Sequence, residues 1–189
     1  MPRLHLRSSI QHLLIAPRFR KIRLLVCDVD GVLTDGGLYY NEQGEVSKRF
    51  DVRDGLAIRM LQRAGITVAL LSGGRSGAIE QRALHLNLEH CYIGVGDKLR
   101  RMNDLGKELS MKREHIAYLG DDLNDLAVRP VTGILIATND ACSALKSQAD
   151  WVLRCHGGHG AVRELAEALL SSQQKLMDAQ REGWRDANS

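Results

Sequence analysis

The sequence predicts an α/β domain in which a mostly parallel sheet is covered by helices on both faces, and three observations predict it. Short apolar runs alternate with amphipathic stretches from residue 22 almost to the end of the chain, the pattern of strands joined by crossover helices. The first run is apolar throughout rather than alternating, as a strand buried on both faces is. No linker, low-complexity segment or internal repeat divides the chain, and 189 residues are enough for one core.

Each element has its own justification. Leu24-Leu25-Val26-Cys27 reads as a buried strand that stops at Asp28-Val29-Asp30-Gly31. Residues 37–50 then predict a small β-hairpin insertion: Leu38-Tyr39-Tyr40 and Val46-Ser47-Lys48-Arg49-Phe50 flank the turn-forming Asn41-Glu42-Gln43-Gly44. Asp54-Gly55 opens a helix in which Ala57, Met60, Leu61 and Ala64 recur at helical spacing, with Gly65 ending it. Ile66–Leu71 is an apolar strand, and Ser76–Leu86 a helix with Ser76 as N-cap. Cys91–Val95 is a short strand, followed by a helix over 97–109. Ile116–Leu119 is a strand leading into the acidic turn Gly120-Asp121-Asp122, and Ile134–Ala137 and Trp151–Leu153 are the last strands. A closing helix is expected over 160–177, with Val162, Leu165, Ala166, Leu169 and Leu170 on one face.

Composition excludes several classes. A formal charge of +3, with aromatics at only 4%, argues against nucleic acid as a partner. No run approaches the roughly 18 apolar residues of a membrane span. The four cysteines Cys27, Cys91, Cys142 and Cys155 are far apart, so buried reduced thiols and a reducing, cytoplasmic compartment are expected. Residues 1–21 read as a basic N-terminal extension that carries Arg3, Arg7, Arg18, Arg20 and Lys21 and no acid, with the domain proper over 22–189. An organelle-targeting peptide is the alternative for that segment, with Leu4, Ile10, Leu13 and Leu14 otherwise lightly packed. A secretory signal is excluded, because Pro17 and Arg18 interrupt its apolar core.

The chemistry is expected at the carboxyl ends of the strands, which a parallel sheet delivers to one edge. Asp28 and Asp30 leave the first strand on the same side, two acids that are costly to hold together unless a cation or a reaction needs them. Ser72 follows the second strand and precedes Gly73-Gly74; Lys98 opens a helix after the third; Asp121, Asp122 and Asp125 follow the fourth. Taken singly, Ser72 reads as a cap, Lys98 as a solvated lysine and Asp121-Asp122 as a complement to the helix dipole. Taken together they suit magnesium-assisted phosphoryl transfer. Carboxylates supply the hard oxygens that Mg²⁺ takes, and the cation lets an anionic nucleophile approach an anionic phosphate. An aspartate needs no base to activate it, and a hydroxyl and an ammonium neutralise the phosphoryl oxygens.

This order of motifs resembles the haloacid dehalogenase superfamily of phosphatases over residues 22–175, and more narrowly the phosphatases of 3-deoxy-D-manno-octulosonate 8-phosphate (KDO 8-phosphate). Asp28–Gly36, Phe50–Gly55, Gly120–Asp125 and Gly157–Glu164 carry the likeness. The resemblance implies a Rossmann-like fold without a large cap domain, acting on a sugar phosphate. It implies Asp28 as nucleophile and Asp30 as general acid and later base. Mg²⁺ would be held by Asp28, the Asp30 carbonyl and Asp121. Ser72, with Gly73, and Lys98 would hold the phosphoryl group, and Asp122 and Asp125 would support Lys98 and the metal shell. It also implies a homotetramer with the hairpin packed between subunits, and a C-terminal tail able to close a neighbour's site. Two departures stand out: Gly74 and His159 occupy positions where the family usually has arginine, and neither matches a guanidinium's bidentate grip on a carboxylate. Arg53, Arg75 or Arg163, with His159 itself, are then the candidates to meet an acidic sugar. The alternatives are a nonulosonate 9-phosphate phosphatase and a catalytically silent module used for oligomerisation or regulation.

Overall fold

A computed structural model describes residues 14–75 and 77–181. The strands are β1 (Leu24–Cys27), β2 (Tyr39–Tyr40), β3 (Val46–Ser47), β4 (Thr67–Leu71), β5 (His90–Tyr92), β6 (Ile116–Gly120), β7 (Ile134–Ala137) and β8 (Trp151–Val152). The helices are α1, described over 14–19, then α2 (Val52–Arg63), α3 (Gly77–His85), α4 (Lys98–Glu108), α5 (Ser143–Gln148), α6 (Ala161–Ser172) and α7 (Leu176–Arg181). Six strands form one sheet in the order β5-β4-β1-β6-β7-β8, every pairing parallel, while β2 and β3 form a separate antiparallel hairpin. The predicted α/β class and the hairpin insertion are what the structure has.

Side chains alternate across a strand, so one sequence run feeds two cores. Leu25 and Cys27 join Ile58 and Leu61 of α2 and Leu165 and Leu169 of α6 on one face. Leu24 and Val26 join Met102 and Leu105 of α4 and Leu145 of α5 on the other. Burial on both faces is why these strands read as unbroken apolar runs. The chain places β4 on one side of β1 and returns to place β6 on the other, which opens a crevice at the carboxyl end of β1.

The element boundaries differ from expectation for identifiable reasons. Helix α2 starts at Val52 because Asp51 caps it, accepting from the Arg53 N–H at 2.7 Å, which leaves Asp54 for another task. It ends as expected at Gly65: the Ile66 N–H donates to the Leu61 carbonyl at 3.0 Å and the Gly65 N–H to Gln62 at 2.9 Å. Strand β5 stops at Tyr92 because the Gly94 and Val95 N–H groups turn back to the carbonyls of Gly74 and Ser72. The closing helix is two helices, not one. After Ser172 the Gln173 amide turns to donate to the Phe19 and Ile22 carbonyls at 3.0 and 2.9 Å, and Gln174 adopts φ +60°. Ser76 lies outside the described residues, as do Leu4, Ile10 and Leu13.

The basic segment contributes to the core where it is described. Ile15, Phe19 and Ile22 are buried, Phe19 packs edge-on against Trp151 at 5.9 Å, and Arg18 pairs with Asp150 at 2.8 Å. We propose accordingly that the domain extends N-terminally at least to residue 14. Leu38, Tyr39 and Tyr40 of the hairpin are exposed in the single chain, although their apolar character favours burial. Cys27 is buried, while Cys91, Cys142 and Cys155 are partly so, and all four are free thiols. No helix among the described residues is long and apolar enough to cross a membrane.

Candidate active site

Strand β1 delivers Asp28 to the crevice, where it is buried between β4 and β6. Its Oδ1 accepts from the Val29 N–H at 2.7 Å, and its Oδ2 lies 2.8 Å from Lys98 Nζ. The chain then folds into a tight loop: the Val29 carbonyl accepts from the N–H groups of Val32, Leu33 and Thr34, and Thr34 Oγ1 accepts from Gly31 and Gly36. Gly31 has φ +80°, and a Cβ there would stand 2.6 Å from Asp121 Cγ. A Cβ on Gly157 would sit on the Gly31 carbonyl, so the Gly157–Gly158 turn packs backbone to backbone against the loop that follows Asp28.

Lys98 reaches the site from the first turn of α4, where Asp97 is the N-cap. Its ammonium lies between Asp28 and Asp125, the latter at 2.6 Å. Asp125 is saturated. Its Oδ1 also accepts from the Tyr118 hydroxyl at 2.6 Å, and its Oδ2 takes the N–H groups of Asp121 at 2.9 Å and Asp122 at 3.2 Å. It sits in a 3-10 segment, Leu123–Val131, rather than an α-helix, and Asp122 caps that segment through the Leu123 N–H. Asp122 thus shapes the acidic turn, and Lys98 takes its support from Asp125 and Asp28.

Asp28, Asp121 and Asp125 can each offer an oxygen within 4.8 Å of the others. Burial, followed by the charge of Asp125, lifts the Asp28 carboxyl to about 6 against the pull of Lys98. Burial and then the charges of Asp28, Asp125 and Asp122 lift Asp121 to about 8. Burial works to lower Lys98, yet the charges of Asp28 and Asp125 outweigh it and hold the ammonium above the ordinary lysine value. Crowded carboxylates with one ammonium among them are a donor set that fits a hard divalent cation.

Ser72, at the end of β4, is buried; its Oγ accepts from the Gly74 N–H at 3.0 Å, with exposed Gly73 between them. The candidate substrate residues are held by separate partners. Arg53 pairs with Asp51 at 2.8 Å and its guanidinium lies over Gly160; His159, on the same loop, donates from Nδ1 to the Gly157 carbonyl at 2.7 Å. Arg75 lies over Gly94, and Arg163 is tied to Glu167 at 2.6 Å.

Comparison with known proteins gives the chemistry its setting. Residues 94–165 match the model of haloacid dehalogenase-like hydrolases. Over 165 residues, 87% of this chain and 88% of the relative, the sequence is 44% identical to the 3-deoxy-D-manno-octulosonate 8-phosphate phosphatase of Yersinia pestis. The chain belongs to the haloacid dehalogenase superfamily of phosphatases, in its KDO 8-phosphate phosphatase branch. A Moraxella catarrhalis KDO 8-phosphate phosphatase, solved with magnesium, phosphate and KDO, superposes with a TM-score of 0.87 at 35% identity, over 90% of this chain and 98% of that one. The cobalt-bound Haemophilus influenzae enzyme gives a TM-score of 0.82 at 41% identity, over 84% and 93%.

Several residues of this phosphatase's site are not evident from the sequence. Tyr118 hides in an apolar strand, and only its hydroxyl shows its use. Asp54, buried in the first turn of α2, caps α6 across the fold by accepting from Gly160 at 3.2 Å and Arg163 at 2.9 Å. Lys48 enters from the hairpin and pairs with Asp30. The last had a visible signal: Val46, Lys48 and Phe50 alternate with Ser47 and Arg49, which puts the lysine on the inward face.

Proposed function

We propose that this phosphatase hydrolyses KDO 8-phosphate to KDO and phosphate through an aspartyl-phosphate on Asp28, with Mg²⁺ as cofactor. One observation carries the reading: the Asp28 carboxylate is buried, fixed by the Val29 N–H and Lys98, and set among the carboxylates of Asp121 and Asp125. Asp28, Asp121 and the Asp30 carbonyl are the groups that would hold Mg²⁺, with Asp125, already saturated by four donors, organising Lys98 and the acidic turn. Bound there, the cation offsets the repulsion between two anions that must meet. Asp28 forms the new O–P bond while Asp30 protonates the departing sugar oxygen. Water then attacks phosphorus as Asp30 takes its proton, and Asp28 leaves. Ser72 and Lys98 neutralise the phosphoryl oxygens throughout.

The exposed Leu38, Tyr39 and Tyr40 support assembly as a homotetramer through the hairpin, which sedimentation of a Tyr40→Lys variant tests. Free thiols throughout favour the cytoplasm. Phosphate release with Mg²⁺ from KDO 8-phosphate, nonulosonate 9-phosphates, neutral hexose phosphates and a nucleotide tests the substrate. Preference for KDO 8-phosphate supports the reading. Preference for a nonulosonate ester transfers the chain to that activity. No release from any of them, unaffected by EDTA, would leave a silent module.

A further inference from the structure

Lys48 is an anomaly in its segment. The hairpin around it is solvated, with Leu38, Tyr39, Tyr40, Ser47 and Arg49 all exposed, yet the Lys48 side chain is only 2% exposed. An ammonium is withdrawn from water at a cost unless it is paired, and here the partner is Asp30 Oδ1. The delivery is built into the backbone. Phe50 bridges Thr34 of the catalytic loop in antiparallel fashion, and Lys48, two residues earlier on the same face, is thereby laid against Asp30. Arg49 fastens the same strand from its other face, donating to the Gly158 carbonyl at 3.0 Å and lying 3.6 Å from Asp35.

The other Asp30 oxygen points elsewhere. A Cβ built on Gly74 would lie 2.9 Å from Asp30 Oδ2 and 3.3 Å from Ser72 Oγ, so Oδ2 faces the turn that carries Ser72. With Oδ1 held by Lys48, Oδ2 is the oxygen left to meet a leaving group on the phosphoryl side.

We propose that Lys48 is a positioning residue, which fixes the Asp30 carboxyl so that its free oxygen meets the leaving-group oxygen of the phosphate ester. The inference rests on the phosphatase reading above. In the step it serves, Asp28 forms its bond to phosphorus and the phosphorus–sugar oxygen bond breaks. The electron pair of that bond goes to the sugar oxygen, which takes the proton carried on Asp30 Oδ2 while Lys48 donates to Oδ1, and Asp30 is left as the carboxylate paired with Lys48. An alkoxide needs that proton to depart, whereas p-nitrophenolate leaves as a stable anion without it.

The test compares KDO 8-phosphate or another alkyl sugar phosphate with p-nitrophenyl phosphate, at saturating Mg²⁺, in the wild type, Lys48→Met and Lys48→Arg. Displacing a catalytic group by about 1 Å costs on the order of 100-fold, so Lys48→Met is expected to lose about that factor in kcat on the alkyl ester. On p-nitrophenyl phosphate it should lose less than about 5-fold, and Lys48→Arg should recover most of the alkyl activity because it restores the ion pair. Equal losses on both esters would overturn the inference, since a general loosening of the site moves both alike. Retention of wild-type kcat on the alkyl ester by Lys48→Met would overturn it as well. If Lys48→Met fails to fold, the ratio of the two activities in Lys48→Arg decides, and an unchanged ratio with both activities depressed counts against the proposal. Wild-type protein that hydrolyses neither ester would overturn the phosphatase reading, and with it this one.

Discussion

Replacing Gly31 by alanine adds one methyl group at the centre of the site, and its consequences can be worked through. The backbone there has φ +80°, a conformation that costs an L-residue about 1–2 kcal/mol. The new Cβ would stand 2.6 Å from Asp121 Cγ, well inside van der Waals contact, so the Asp121 side chain has to swing away by about 1 Å or more. The buried strands on either side are untouched, and the expected loss of global stability is therefore only about 1–3 kcal/mol. Activity should suffer more, because Asp121 is one of the groups proposed to hold Mg²⁺ and a displacement of about 1 Å is worth on the order of 100-fold. Urea unfolding gives the first quantity, and phosphate release across a Mg²⁺ titration gives the second. The variant should be folded, should turn over slowly, and should need a higher Mg²⁺ concentration for half-maximal rate. A Gly31→Ala enzyme with wild-type turnover and an unshifted Mg²⁺ dependence would refute the placement of Asp121 as a ligand under Gly31.

Other consequences are as testable. Asp28→Asn should reduce phosphate release by on the order of 10⁴-fold or more, while circular dichroism shows a retained fold; substantial residual turnover would remove Asp28 as nucleophile. Asp150 is partly buried, which would raise its pKa, but hydrogen bonds from Arg129, Arg18 and the Leu135 N–H outweigh burial and hold it at about 2. A depressed pKa stabilises the fold above the unfolded value near 4 and loses that contribution as pH falls towards 2. Asp150→Asn should therefore cost about 1–2 kcal/mol at pH 7, discounted for the solvent at Arg18, and its deficit against wild type should shrink as pH falls from 5 to 3. A deficit independent of pH in urea unfolding would contradict this assignment. Phe19→Ala should destabilise by about 3–5 kcal/mol, because the ring is buried against Trp151. A loss under about 1 kcal/mol would show that α1 is dispensable to the core.

The order of residues along the chain was enough to set the sheet and the edge where its chemistry would emerge. Buried parallel strands must be apolar throughout, and the first polar residue after each marks its carboxyl end, which is why Asp28, Ser72 and Asp121 could be placed before any fold was known. Their succession also carried the family resemblance. What remained hidden depends on contacts between residues distant in sequence. Asp54 looks like the opening of its own helix, and only the packing of α2 against α6 shows it capping a helix whose first residues lie beyond position 159. Asp122 and Asp125 are alike as letters, yet one caps a turn and the other binds Lys98 and Tyr118, a difference set by which side chain points into the crevice. The closing helix breaks after Ser172 because Gln173 finds the carbonyls of Phe19 and Ile22, partners some 150 residues away that periodicity cannot register. Lys48 lies between these cases: period-two alternation turns it inward, but that an ammonium there meets Asp30 was decided by the bridge from Phe50 to Thr34. Local patterns encode the direction of a side chain, and only the folded chain supplies its partner.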